Sequence, residues 1–318
     1  MNGFELTGFI LRKLAGAVPL IVGVTLISFL LTVYFGPDKT YELVGKNPTP
    51  AEIAEVRAQL GYDRPFIVRY AEYLRDLATL DLGHAESTGE PVQAMLARAI
   101  PVSVMALAPG FVLGLVIAMI LAMIAAWHRG GRIDRAVTGL SSIGMSLSFV
   151  VIIIGFQGIF GKRLGWFPVR GWSIDGPISY LQHAAVPTMA LVAVNLGYNT
   201  RFFRAILADA VGAAHVRTAR AFGARPVRIM TRHVLRASLL PIITRIVFSI
   251  PLVVISGSLL IESHFSIPGI GRIAYQAILS GDQPVLMAVV GLSAVLLVLA
   301  ITLADLLCRL ADPRIRLR

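Results

Sequence analysis

The sequence has few of the residues on which disulfide, thiol and metal chemistry depend. It holds one cysteine in 318 residues, Cys308, and six scattered histidines. A single cysteine excludes an intrachain disulfide framework and leaves no thiol cluster for zinc. We therefore expect no metal site and interpret Cys308 as a packing residue.

Motifs for nucleotide hydrolysis and for hydrolytic catalysis are also absent. The Gly-Lys pairs at 45–46 and 161–162 lack the upstream glycine and the following Ser or Thr of a phosphate loop. Neither H-E-x-x-H nor G-x-S-x-G occurs. We expect no catalytic residues and no cofactor of the chain's own, and a membrane-embedded enzyme is only a weak alternative.

Charge is scarce and apolar residues are abundant. Charged residues make up 15% of the chain and hydrophobic residues 56%, with a mean hydropathy of +0.75, which is typical of membrane proteins. Runs of roughly 20 or more apolar residues, each able to cross about 30 Å of hydrocarbon, recur six times. The sequence therefore predicts an all-α membrane protein with six transmembrane helices, near 13–35, 101–127, 136–160, 184–207, 239–261 and 285–307.

The charges that are present are unevenly distributed between the two sides of these spans. The net charge is +11, which in a soluble protein would suggest a nucleic-acid partner, but here it follows the positive-inside rule. With the amino terminus inside, seventeen of the 29 lysines and arginines lie in cytoplasmic segments together with only five acids. We predict cytoplasmic N- and C-termini and interpret the first span, after Arg12 and Lys13, as a retained signal anchor; a cleaved signal peptide is the alternative.

The segment 36–100 differs in holding most of the acids. Thr49 followed three residues later by Glu52 predicts a capping box at a helix start, with the helix ending near Leu60 and Gly61. These features indicate a small external helical subdomain. Its second, amphipathic helix would run through Val68, Tyr70, Leu74 and Leu77.

A basic stretch broken by glycine and proline lies between residues 213 and 244. It predicts a first helix from about Ala210 to Phe222, Gly223 as a C-cap with positive φ, and Pro226 at the start of a second helix. Two short helices would thus meet at an elbow.

The second of these helices has arginines at four-residue spacing, Arg228, Arg232 and Arg236. They form one basic stripe, for which a lipid-headgroup-facing helix and a docking helix for another protein are both open interpretations. The opposite, apolar face would consist of Val227, Met230, Val234 and Leu235.

Ionisable residues within the spans are few, and they lie near the ends: Arg245, Glu262 and Asp305. None is placed as a midplane proton relay, which disfavours an ion-coupled transporter. Uncharged polar residues are commoner. Either they form helix–helix hydrogen bonds or together they line a wet path for a polar solute: Ser146, Ser148, Gln157, Asn195, Tyr198, Asn199, Ser249, Ser256 and Ser258.

Blocks spread over the whole chain resemble one known family, the membrane permease subunit of bacterial ABC importers of the dipeptide, oligopeptide and nickel class. Their order and spacing carry the resemblance. The blocks are LGYDRPFIVRYAEYL, DLGHAESTGEPV, GRIDRAVTGLSSIGMSLSF, LGWFPVRGW, VRTARAFGARPVRIMTRHVLRASLLP, SGSLLIESHFSIPGIGRIAYQAILSGDQPVL and LADPRIR.

The resemblance implies a type I ABC importer permease fold in which the elbow is a coupling helix seated in a groove of a cytoplasmic ATPase. The general pattern of Glu-Ala-Ala, three residues and Gly, aligned on Gly223, is here Arg217, Thr218 and Ala219, as in peptide-type permeases. Ser148 stands where relatives often have a proline, so whether the third span is kinked stays an open question. The implied coupling residues are Val216, Arg217, Thr218, Ala219, Arg220, Ala221, Phe222, Gly223, Arg228 and Arg232.

The resemblance also implies a set of partners and a gate. The partners would be a second homologous permease, two ATPase subunits that bind ATP and Mg, an external solute-binding protein and a peptide substrate, at the bacterial inner membrane. A nickel or metallophore permease and an ion-coupled secondary transporter are the alternatives. The candidates for the path or gate are Ser146, Ser148, Asn195, Tyr198, Ser249, Ser256, Ser258, Glu262, Phe265, Pro268 and Gly269.

The expected organisation has four parts. Residues 1–35 are the cytoplasmic N-terminus and first span, 36–100 the external subdomain, 101–310 the five-helix core with the coupling loop 208–238, and 311–318 a cytoplasmic tail.

Overall fold

A computed structural model describes residues 3–36, 40, 49–59 and 63–311. Within these ranges the regular structure is helical, without a β-strand. The predicted helix end at Leu60 and Gly61 and the tail beyond residue 311 lie outside the described residues. The all-α prediction is confirmed for the part of the chain that the structure covers.

The helices are numbered here in chain order. They are α1 Gly3–Phe35, α2 Pro50–Gln59, α3 Phe66–Thr79, α4 Val92–Trp127, α5 Arg132–Ser146 and α6 Phe149–Phe156, which continues as a π-helical turn over Gln157–Arg163. Then come α7 Pro177–Val211, α8 Ala214–Ala221, α9 in three contiguous parts (Pro226–Arg228, π-helical Ile229–Val234 and Leu235–Ala237), α10 Leu239–Phe265, α11 Ile270–Ser280 and α12 Gln283–Ala311.

Four of the described helices are long and apolar enough to cross a membrane: α1 over Gly16–Phe35, α4, α10 and α12. The bent pair α5 and α6 makes a fifth if it is counted as one span. The predicted fourth span lies inside α7, which is long enough, but His183, Asn195 and Asn199 lower its hydropathy. The structure thus supports four or five spans by length and composition.

The third predicted span is broken rather than continuous. The axes of α5 and α6 meet at 96°, and the chain is extended at Leu147 and Ser148, with ψ of 132° and 141°. A proline at position 148 is therefore not needed for a bend here. α6 starts again at once, with Ile152 N donating to Ser148 O at 3.1 Å.

The described residues fall into two compact units, one from residues up to 98 together with 273–298, the other from 99–272 together with residues from 299 onward. In the first unit, the predicted capping box is confirmed. Thr49 N donates to Glu52 Oε2 at 2.8 Å, and Glu52 N donates to Thr49 Oγ1 at 3.4 Å. Hydrogen bonds from the Thr49 backbone and side chain lower the pKa of Glu52.

The amphipathic helix α3 is fastened to the long helices of this unit by aromatic residues. Phe29 of α1 packs against Phe66, Tyr70 and Tyr73, with ring centroids 5.4–5.7 Å apart. Tyr70 Oη donates to Val22 O at 2.7 Å, and Tyr73 Oη donates to a carbonyl of α12 at 3.0 Å. Burial raises the pKa of Tyr73 to about 12, so its hydroxyl remains a donor at physiological pH.

A buried carboxylate joins two of the sequence blocks in the same unit. Asp282, 1% exposed, accepts hydrogen bonds from Ser87 Oγ at 2.7 Å and Ser87 N at 2.9 Å. Burial alone would raise the pKa of Asp282, but hydrogen bonds from Ser87 and from the backbone of Glu86 and Val285 outweigh it and lower the pKa. The turn before α12 is thereby pinned to the loop that precedes α4.

Candidate functional site

The elbow is confirmed at its two diagnostic residues. Gly223 has φ of +75°, and Pro226 occupies the first turn of α9, where its missing N–H costs nothing. The predicted helix start at Ala210 is wrong, because α7 runs on to Val211 and α8 begins at Ala214. The predicted first helix therefore spans the end of α7, a short turn and α8.

The outer face of the elbow combines cations with exposed apolar side chains. Arg228, Arg232 and Arg236 are exposed as predicted, and Phe222 is 87% exposed. Val227 was predicted on the buried face but is 74% exposed. It lies in the first turn of α9. Met230 and Val234 are buried as predicted, and Ile229, the first residue of the π-helical turn that follows, is buried with them.

The inner face of the elbow is held by a core shared with the ends of α4, α7 and α10. Val216 of α8 and Ile229 of α9 are fully buried. Arg220, a predicted coupling residue, lies with its guanidinium 4.7 Å from the ring centre of Trp127 at the end of α4. The elbow is thus packed as part of the second unit. The buried members of this core are Ala118, Ala122, Ala126, Phe203, Leu207, Ala208, Val216, Ile229, Met230, Val234 and Ile242.

A groove of about 830 Å³ opens at the elbow. Arginine guanidinium groups bind carboxylates through paired, charge-assisted hydrogen bonds. The groove therefore suits a partner surface that presents both acidic and apolar groups. Its lining consists of Ala219, Phe222, Gly223, Ala224, Arg225, Arg228, Arg232 and His233.

An ion pair beside the elbow was not singled out in the sequence. Asp134 of α5 is 3% exposed and accepts from Arg204 Nε at 2.8 Å and Nη2 at 2.6 Å. Gly130 N also donates to it at 2.8 Å. The pair joins α5 to α7. The sequence feature that could have predicted it is a single acid in a basic segment, between Arg132 and Arg135.

The predicted gate segment forms a tight turn around a buried carboxylate. Glu262, near the end of α10, is fully buried, and its Oε2 accepts from Gly271 N at 2.7 Å and Arg272 N at 3.4 Å. Ser103 Oγ accepts from the backbone N–H of Ile270 at 2.8 Å. Together these groups satisfy the first turn of α11.

Gly269 is required at this turn by close approach. A Cβ there would overlap the Glu262 carboxylate and Ser103 Oγ. Phe265 is buried as well, whereas Pro268 is exposed. The buried side of the predicted gate segment is therefore formed by Glu262, Phe265 and Gly269. Pro268 lies on its exposed side.

The predicted path residues separate into two groups. Ser146, Ser249 and Ser258 donate to carbonyl groups of their own helices, which is the packing role that the sequence left open. Ser148 and Ser256 are exposed, as is Tyr198 at 49%.

A polar ladder connects α7 and α10. Asn199 Nδ2 donates to Asn195 Oδ1 at 3.4 Å, and Arg245 Nε donates to Asn199 Oδ1 at 3.3 Å. Asn195 packs against Gly114 of α4, where a Cβ would lie 3.1 Å from the Asn195 Cβ. The network includes Asn195, one of the path and gate candidates, and Asn199, one of the other uncharged polar residues of the predicted spans.

Comparison with known proteins agrees with this architecture. Residues 114–317 match the model of the family described as binding-protein-dependent transport system inner membrane component. Residues 6–104 match a model described as the N-terminal part of the same kind of membrane component. The chain belongs to this family and is a multi-pass membrane protein, the membrane component of a transporter that works with a separate binding protein.

Curated relatives align over nearly the full length. A protein of Brucella abortus (strain 2308), named as a candidate peptide transport system permease, is 30% identical over 316 residues, 98% of this chain and 99% of that one. The oligopeptide transport system permease protein AppB of Bacillus subtilis (strain 168) is 28% identical over 318 residues, 98% and 99% of the two chains. The dipeptide transport system permease protein DppB of Alkalihalophilus pseudofirmus is 26% identical over 334 residues, 97% and 99%.

Proposed function

We propose that this chain is the permease subunit of an ATP-driven, binding-protein-dependent importer of dipeptides or oligopeptides. The family and the names of the relatives support the class of transporter and of solute. The observation that carries the proposal is the elbow, with its positive-φ glycine, exposed Phe222 and arginine-lined groove on an otherwise apolar chain.

The elbow is the coupling site for a cytoplasmic ATPase. Arg225, Arg228 and Arg232 pair with acids of the ATPase, and Phe222 inserts into an apolar pocket beside them. ATP and Mg belong to two ATPase subunits, and a second homologous permease completes the pathway. Because only differential binding to two states can drive a cycle, the groove contacts the ATPase differently before and after nucleotide hydrolysis.

The chain crosses the bacterial inner membrane six times, with α5 and α6 as one bent span, α7 as the fourth span and both termini in the cytoplasm. The cations at the elbow and at the start of α5 support this orientation. Residues 36–100 face outward and receive the solute-binding protein. Residues 101–310 form the core with the coupling loop 208–238, and 311–318 a cytoplasmic tail.

A cavity in the first unit favours this external role. It has a volume of about 520 Å³ and mixes charges of both signs with apolar groups, a composition suited to a polar, transient protein contact. Its lining consists of Phe29, Arg64, Arg69, Glu72, Tyr73, Asp76, Asp81, Leu82, Gly83, Pro284, Met287 and Ala288.

Reconstitution tests the proposal. The purified permease pair, with its ATPases and binding protein in proteoliposomes, is expected to take up peptide only when ATP is present on the ATPase side. The readout is radiolabelled peptide inside the vesicles. Uptake by this chain alone under an ion gradient would instead establish a secondary transporter, and uptake of nickel or a metal chelate in place of peptide would establish the metallophore alternative.

A further inference from the structure

We infer that Arg245 is a carboxylate-binding residue of the translocation path, oriented by Asn199 and Asn195, and that its ligand is the free C-terminal carboxylate of the transported peptide. The inference rests on the proposed function, because it names the chemical group of the solute that one subsite recognises.

Arg245 lies inside a membrane-length apolar helix. The span α10 covers 27 residues, Leu239–Phe265, and Arg245 is about 9 Å along it from Leu239 at the rise of an α-helix. A charged side chain in a span usually faces the interior of the bundle or a water-filled cavity and marks a pathway for solute or ions.

The chain orients this guanidinium without neutralising it. Arg245 Nε donates to Asn199 Oδ1 at 3.3 Å, and Cζ lies 5.3 Å from the ring centre of Phe202. Among the residues that the structure describes, no carboxylate lies within ion-pair distance of Arg245. A guanidinium has five N–H donors, and a neutral amide leaves its full positive charge in place.

The amide groups of Asn199 and Asn195 form a series of hydrogen bonds that positions Arg245. Asn199 is 1% exposed, and its Nδ2 donates to Asn195 Oδ1, while Asn195 Nδ2 donates to Leu191 O at 2.9 Å. Each amide therefore has its oxygen turned towards the next donor in the series. This fixes the guanidinium from one side and leaves its remaining donors for a ligand.

The other side of Arg245 is accessible. Its side chain is half-buried, and the aromatic residues around it on the same two helices are partly exposed: Tyr198 49%, Phe202 37% and Phe248 44%. Phe202 borders the guanidinium; Tyr198 is one turn before it on α7, and Phe248 is three residues after Arg245 on α10, at spacings that share a helix face. A carboxylate that approaches along this face meets free N–H groups.

A peptide carboxylate fits the site better than a lipid phosphate, although both match a guanidinium fork. An arginine that serves a headgroup needs no polar partner deeper in the membrane. Here the ladder continues from Asn199 to Asn195, one turn further from the end of α7 at Val211. Polar groups at successive depths along the span suit a solute that passes through the membrane.

The test uses the complete importer in proteoliposomes and compares Arg245→Gln, Arg245→Lys and the control Arg201→Gln, an exposed arginine of α7. Uptake per ATP is measured for one peptide and for its C-terminal amide, after both are shown to bind the solute-binding protein. For the free peptide, Arg245→Gln is expected to lower uptake per ATP about tenfold, the effect of losing one charge-assisted hydrogen bond. ATPase stimulation by the loaded binding protein is recorded in the same vesicles, so that uptake is always expressed per ATP hydrolysed.

The C-terminal amide of the peptide lacks the carboxylate charge. Its uptake therefore distinguishes loss of carboxylate recognition from a general loss of transport activity. Wild type is expected to transport the amide less efficiently than the free peptide, Arg245→Gln to transport both equally, Arg245→Lys to keep part of the preference, and Arg201→Gln to behave as wild type. Equal losses for both solutes in Arg245→Gln, or no preference in wild type, would overturn the inference. If Arg245→Gln does not assemble, Arg245→Lys carries the comparison, and a wild type without a preference still overturns the inference.

Two further outcomes are distinguishable. If uptake by wild type depends on anionic lipid and uptake by Arg245→Gln does not, Arg245 binds a lipid phosphate and the inference is wrong. If the wild-type complex shows no ATP-driven peptide uptake at all, the proposed function itself fails.

Discussion

Asp134 and Arg204 form an ion pair in which both oxygens of the buried carboxylate have defined partners. Both carboxylate oxygens of Asp134 accept from Arg204, and Gly130 N adds a third hydrogen bond. The carboxylate is almost completely withdrawn from solvent, with 5% of the side chain exposed. Removing the carboxylate charge leaves Arg204, 28% of whose side chain is exposed, without its counter-charge in a mostly buried place, which costs less than the roughly 3 to 5 kcal/mol typical of a fully buried pair.

Asp134→Asn is expected to destabilise the permease by about 2 to 3 kcal/mol, because Arg204 then lacks a counter-charge. The measurement is the apparent melting temperature of the purified protein in detergent. Asp175→Asn, which changes an exposed acid, is the matched control and leaves the melting temperature unchanged. The double variant Asp134→Leu/Arg204→Met is expected to recover much of the loss; if it is no more stable than Asp134→Asn, the pair is not the cause.

Single residues were the least predictable scale of the site. Hydropathy identifies Ser249 and Ser258 as polar residues in a span, but it does not show that their hydroxyls bond to their own helices. Arg245 was noted only as a charge near a span end, since its contact with Asn199 joins residues 46 positions apart. Side-chain direction depends on the packing of neighbouring helices, which the sequence pattern does not contain.

Local turn chemistry made the elbow the most predictable element. The positive φ of Gly223 and the position of Pro226 follow from the conformational limits of these two residues. The boundary at Ala210 was wrong because α7 has no local stop signal there and continues on its packing contacts. Val227 was misplaced because the π-helical turn after it changes the helical period.

Gly223→Pro is expected to leave membrane insertion intact and to abolish ATP-dependent uptake. Proline cannot adopt φ of +75°, and it removes the N–H that donates to Arg220 O at 3.0 Å. Uptake in proteoliposomes and ATPase stimulation by the binding protein are measured together.

The matched control is Gly223→Asn. Asparagine tolerates a left-handed conformation, and a Cβ at this position meets no atom within 4 Å. This variant is expected to retain uptake. Normal transport by Gly223→Pro would remove the elbow from the coupling mechanism.

At the scale of the whole molecule, the sequence predicted the class correctly and the span count only in part. Long apolar helices are set by composition, so α1, α4, α10 and α12 were found. The bend between α5 and α6 and the polar face of α7 depend on contacts across the bundle. One such contact is Gly197, where a Cβ would lie 3.0 Å from Ser141 O and 3.1 Å from Met145 N.

The proposed orientation can be tested because the chain has a single cysteine. In a Cys308→Ser background, Thr88→Cys is expected to react with a membrane-impermeant maleimide in intact cells after outer-membrane permeabilisation. Thr218→Cys is expected to react only in inverted membrane vesicles, because it lies on the elbow. Labelling of Thr218→Cys in the intact cells would reverse the topology and separate the elbow from any cytoplasmic ATPase.

The hydroxyls of Tyr70 and Tyr73 hold α3 through main-chain carbonyls of α1 and α12. A carbonyl is supplied by any amino acid, so this attachment does not depend on which side chains α1 and α12 carry at those two points. Membrane spans can therefore exchange one apolar residue for another over long evolutionary times while the same aromatic helix stays docked. Substitutions that persist in this family should be more permissive at Val22, which is partly exposed, than at the tyrosine that contacts it.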